Sequence, residues 1–110
     1  MAKATYVQPG NNLDYINNGS AAIEAGDVIA LGTTRVGVAG CDIAVGEVGS
    51  VIVKGVFEFP KTGTAAIALG AAVYFDGTGI TNADSGNTPA GYAVAAAEAS
   101  SETILVKLLG

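Results

Sequence analysis

Histidine and tryptophan are absent from this 110-residue sequence, cysteine occurs once and proline three times. Each shortage removes a class of function. Without histidine there is no side chain whose ordinary pKa lies near neutrality, and the commonest metal ligand is missing with it. The single cysteine, Cys41, cannot close an internal disulfide and has no histidine to act as its base. It therefore reads as a small apolar filler and not as a nucleophile. Basic residues are also scarce, five against ten acidic, for a net charge of −5. Lys3, Arg35, Lys54, Lys61 and Lys107 stand singly along the chain. That spacing excludes the clustered cationic surface by which DNA, RNA or an anionic membrane is held. No apolar run is long enough to span a bilayer, and Met1 to Gly10 lacks the apolar core of a signal peptide. The expectation is a soluble protein that stays inside the cell that makes it, with neither nucleic acid nor membrane as partner.

What the chain does have is glycine, sixteen of them, distributed among β-branched runs. That pattern favours short strands joined by tight turns over long helices. The length predicts one domain, whose core buries roughly two-thirds of the surface exposed on unfolding. The longest strand signal runs from Gly46 to Lys61. Val51, Val53, Phe57 and Phe59 share one parity, and Ile52, Lys54, Val56 and Glu58 share the other. A strand sends alternate side chains to opposite faces, so the first set is predicted to face a core and the second to face water. Gly55 marks a bulge, a bend or a close neighbour, and Pro60 ends the element or places it at a sheet edge.

Residues 1–23 are polar and irregular, with turn clusters at Gln8-Pro9-Gly10 and Asn17-Asn18-Gly19 flanking Leu13-Asp14-Tyr15-Ile16. They are expected to form an N-terminal arm or a short hairpin, and residues 24–110 a single β domain. Within that domain glycines bound the runs Val28 to Leu31 and Thr33 to Ala39 as a hairpin requires, and Asp76-Gly77 before Ile80 is a further hairpin signal. A faint echo is present in Ala25-Gly26-Asp27-Val28, Val45-Gly46-Glu47-Val48 and Leu69-Gly70-Ala71-Ala72, where a glycine precedes a strand each time. Ala90 to Ala97 is compatible with a strand or a helical turn. Thr103 to Leu109 reads as a closing strand with Ile104, Val106 and Leu108 inward. The predicted class is all-β, a small antiparallel sandwich, jelly-roll or barrel-like domain with an extended N-terminal arm.

One motif invites a nucleotide. Gly55 to Thr62 reads Gly-x-x-x-x-Pro-Lys-Thr, one residue away from a phosphate-binding loop. The difference falls at Pro60, which has no N–H to aim at a phosphate and cannot take the positive φ open to glycine. The acids are dispersed. Asp76 and Asp84 lack the spacing of a calcium loop, and Glu24 with Asp27 reads as a solvated turn. No catalytic residue, cofactor or metal is expected.

Taken together, several pieces resemble the capsid cement, or head decoration, proteins of tailed phages and prophages. They are Ala2 to Gly10, Ala25-Gly26-Asp27-Val28, Ala44 to Gly49, Gly55 to Lys61, Gly70 to Asp76, Gly86-Asn87-Thr88, Gly91-Tyr92-Ala93 and Ile104 to Leu108. Members of that family are sometimes labelled predicted RecA/RadA-type recombinases, a label that Pro60 argues against in this chain. The resemblance implies an all-β virion protein, made in the bacterial host cytoplasm, that binds the outside of an assembled head and clamps neighbouring major capsid subunits. A homo-oligomer is expected, a trimer or alternatively a dimer. The expected capsid or subunit contacts are Tyr6, Val7, Leu13, Tyr15 and Ile16, because polar chain ends often order only against a partner. The alternatives are a small β module that binds a host surface or glycan, and a nucleotide-dependent recombinase.

Overall fold

A computed structural model describes residues 2–6 and 10–108. Among these residues there is no helix, and nine strands form two sheets. The first sheet holds β1 (Asn12–Ile16), β2 (Val28–Leu31), β3 (Arg35–Ala39) and β4 (Val48–Ile52), in the order β1-β4-β3-β2. The second holds β5 (Val56–Pro60), β6 (Ala72–Phe75), β7 (Ile80–Thr81), β8 (Thr88–Ala93) and β9 (Thr103–Leu108), in the order β5-β9-β8-β6-β7. Every pair of named strands is antiparallel. Of the predicted all-β architectures, the small sandwich is the one formed.

The Gly46 to Lys61 stretch is two strands in different sheets. The chain leaves the first sheet after β4 and enters the second at β5, turning through Gly55 at φ 121°, a backbone region that a side chain would disfavour. Parity survives the crossing. Val51, Val53 and Phe59 are buried, Phe57 packs against the core, and Lys54 and Glu58 are exposed. Pro60 lies in an edge strand. The Ala90 segment resolves as strand β8, and Ile104, Val106 and Leu108 of β9 are buried as the alternation predicts.

The two sheets are the same structure used twice. In each, the first strand is held beside the last, β1 by β4 and β5 by β9, and two further strands continue the sheet, β3 and β2 in the first and β8 and β6 in the second, where the short β7 is added at the edge. An antiparallel bridge joins Ile23 to Ile43 in the first half and Ile67 to Ala97 in the second. A four-residue turn follows each bridging residue, closed by Asp27 N to Glu24 O, Glu47 N to Ala44 O, Ala71 N to Ala68 O and Ser101 N to Glu98 O. Gly26, Gly46 and Gly70 occupy the third turn position with φ of 91°, 82° and 84°, as a type II turn requires. Ser100 stands there in the last turn, where φ is not positive. Side chains correspond too. Ile29 faces Gly37 across its ladder as Val73 faces Gly91, and Tyr15 faces Gly49 as Phe59 faces Ile104.

The halves pack front to back. Call the front of each sheet the face that carries Val51 in the first and Val106 in the second. The front of the second sheet, with Phe59, Ile67, Val73, Ile104, Val106 and Leu108, is covered from the back of the first by Val36 and Val38, and Val28 packs against the same cluster. The front of the first sheet carries its own cluster of Ile29, Ala39, Ile43, Val51 and Val53. At about 25 cal/mol per Å² the buried side chains are the main favourable term, and the shared cluster welds the halves into one unit.

Candidate functional site

The nucleotide-like motif has no loop in it. Val56 to Pro60 is strand β5, paired residue by residue with β9 from Lys107 to Thr103. Lys61 follows, buried, and its ammonium donates to the carbonyl of Gly63 at 2.7 Å and to that of Ala99 at 3.3 Å. Two of the three ammonium donors are thus spent on backbone carbonyls of the fold itself. Its counterpart in the first half is Asn17, also buried, whose Nδ2 donates to the carbonyls of Ala21 and Ile43 at 2.9 and 3.0 Å. Two different polar side chains thus do one job, fastening the loop that leaves the first strand of each half to the crossover before the last. A buried donor without partners would be costly, and here both are satisfied.

Asp76 is a turn residue. Its Oδ1 accepts from Thr78 N, Thr78 Oγ1 and Gly79 N at 2.9 to 3.0 Å, and its Oδ2 accepts from Thr62 Oγ1 at 2.6 Å. The Thr62 hydroxyl first, then the Thr78 N–H, hold its carboxyl at a pKa of about 2 against an ordinary 3.8. Among the described residues no three His, Cys, Asp or Glu side chains gather as a metal cluster would. Cys41 corrects the sequence reading. It is exposed, because β3 ends at Ala39 and the residue that turns inward from the following crossover is Ile43.

Three of the five predicted contact residues share one strand. Tyr6 is 80% exposed, Val7 lies outside the described residues, and Leu13, Tyr15 and Ile16 all sit in β1. Among the described residues β1 borders only β4, so its other side is a free sheet edge. Leu13 and Tyr15 belong to the front of the sheet, opposite Val51 and Gly49, and the exposed Ile16 points to the back. Sequence reasoning missed a second patch. Val56, Tyr92 and Leu105 are exposed on the back of the second sheet around Lys107, whose Nζ lies 5.9 Å from the Tyr92 ring centroid. The signal was available, since Val56 and Leu105 take the outward parity of β5 and β9, where polar residues are the rule.

Among the described residues, Lys61, Asn17 and Asp76 are engaged by groups of the fold itself, and apolar surface stands open at β1 and on the back of the second sheet. Compared with known families, residues 7–108 match the family described as phage cement protein. The chain belongs to the phage cement protein family. Neither curated proteins nor solved structures return a match. Membership assigns this cement protein a structural role in stabilising a phage capsid, in accord with an all-β domain built from short strands. It also agrees with the resemblance drawn from the quoted segments, four of which form crossover turns or the strands they lead into.

Proposed function

We propose that this cement protein binds the exterior of an assembled phage head and bridges neighbouring major capsid subunits, acting as a homo-oligomer, a trimer or alternatively a dimer. Residues 1–23 serve as the contact arm and 24–110 as the body. The observation that carries the reading is the free edge of β1. An unpaired strand edge can accept a further strand from a neighbour, and here the strand ends on the exposed Ile16. A ligand that binds only the assembled shell stabilises it by mass action, and many copies turn modest single contacts into a large total.

The test is cosedimentation of purified protein with expanded empty heads, followed by heating of the decorated and bare shells. Decorated shells are expected to survive a higher temperature. Failure to cosediment would remove the cement reading. Removing residues 2–10 together with Ile16→Asp is expected to lower occupancy at least tenfold, and undiminished occupancy would rule out the arm and edge as the contact.

A further inference from the structure

We propose that the front of the first sheet is the docking site for a second copy of this chain, which seats the back of its second sheet there. The contact continues from chain to chain the front-to-back stacking that already joins the two halves within one. The inference rests on the homo-oligomer in the proposed function and supplies its interface.

Three observations converge on it. The first is a difference in cover at matched positions. Phe59 and Ile67 on the front of the second sheet are 2% and 3% exposed beneath the first half, whereas their counterparts Tyr15 and Ile23 are only partly buried and Leu13 is 41% exposed. The same face is therefore covered throughout in one half, while in the other a buried centre of Ile43, Ala39 and Val51 is flanked by the partly open Leu13, Tyr15 and Ile23. The second concerns what does the covering. Val38, 7% exposed, reaches from the back of the first sheet into the cluster on the second; its counterpart on the back of the second sheet is Tyr92, 39% exposed and larger. The third is chemistry. Where two positions on the back of the first sheet are polar, Asn12 donating to Ser50 at 3.0 Å, the matched positions of the second are Val56 and Leu105, 54% and 41% exposed. With Tyr92 they form an exposed apolar group on the back of the second sheet, whereas the exposed Ile16 and Val48 on the back of the first lie at its β1 end.

Contact of unlike faces is heterologous, so it closes into a ring when the rotation allows and otherwise runs on. Three copies would place six matched sheets in one cycle. Such a contact has a signature that a two-fold contact lacks. Ile23→Asp spoils only the receiving face and Tyr92→Asp only the inserting face. By light scattering after gel filtration, the wild type is expected as a closed oligomer and each variant alone as a monomer. An equimolar mixture of the two is expected to stop at a one-to-one dimer, since one intact face of each kind remains.

A monomeric wild type would overturn the proposal, and so would a mixture that stays monomeric. Loss of assembly in Ile23→Asp with full assembly in Tyr92→Asp would also overturn it, in favour of front-to-front pairing. Should either aspartate variant unfold by circular dichroism, Leu13→Cys and Tyr92→Cys in a Cys41→Ser background replace them. A thiol cross-linker is then expected to join the two only when mixed, and cross-linking within either variant alone would refute the geometry. Shell binding is scored separately, so an oligomer built otherwise that still coats heads sinks this inference and leaves the cement function standing.

Discussion

Replacing Lys61 by methionine separates a structural lysine from a phosphate-binding one. The substitution keeps most of the apolar stem and deletes the ammonium that donates to Gly63 O at 2.7 Å and Ala99 O at 3.3 Å. A hydrogen bond from a charged donor contributes about 1.5–3 kcal/mol, and the longer of these two lies beyond the optimum and contributes less. Removing a buried cation recovers part of that loss, because its desolvation cost disappears. The expected net destabilisation is about 2 kcal/mol, which in a domain of this size lowers Tm by about 10 °C. Lys54→Met serves as control, since Lys54 is exposed and its replacement should shift stability by less than about 0.5 kcal/mol. Urea unfolding followed by circular dichroism reads both, with and without ATP and magnesium. A Lys61→Met protein as stable as wild type, or a wild type that ATP stabilises and the variant does not, would refute the reasoning.

Three further outcomes follow from the same geometry. A Cβ on Gly49 would collide with Cγ1 of Ile43, whereas the matched positions of the second half hold Ile104 and Ala97. Gly49→Ala should therefore cost about 2 kcal/mol and Ile43→Ala about 3 kcal/mol, with the double variant at least about 1 kcal/mol better than their sum in a double-mutant cycle. Asp76 has its folded pKa depressed to about 2, so its contribution is complete above its ordinary value of 3.8 and fades as pH falls toward 2. Asp76→Asn should flatten that stretch of the urea-midpoint profile, and by a small amount, because the group is exposed to solvent. Asn17→Ala should destabilise by about 2 kcal/mol in thermal unfolding, as its partners Ala21 O and Ile43 O lose a buried donor.

The strands were legible wherever alternation was strong. Val51, Val53, Phe59, Ile104, Val106 and Leu108 all face the core as their parity predicts. The change of sheet at Gly55 was not, because the inward parity runs unbroken from Val53 to Phe57 while the backbone turns between them. The repeat was written in the sequence at a place without periodicity. Gly19-Ser20-Ala21-Ala22-Ile23 and Gly63-Thr64-Ala65-Ala66-Ile67 match closely, yet both lie in crossover loops, where small residues carry neither the helical nor the strand signal. Glycine positions alone show three of the turns and hide the last, which uses Ser100. The β1 residues read as contacts are on one edge because β1 has a single neighbour, a fact of strand order that no local pattern encodes.

The two halves differ most between their middle strands. β2 and β3 are joined by Gly32, Thr33 and Thr34 alone, while β6 and β8 are separated by Asp76 to Asn87 and the short β7. The fold has thus already absorbed extra length at that tip without disturbing the strands on either side. The short tip is accordingly a graft point: a foreign peptide spliced between Gly32 and Arg35 has a tolerated precedent within the molecule.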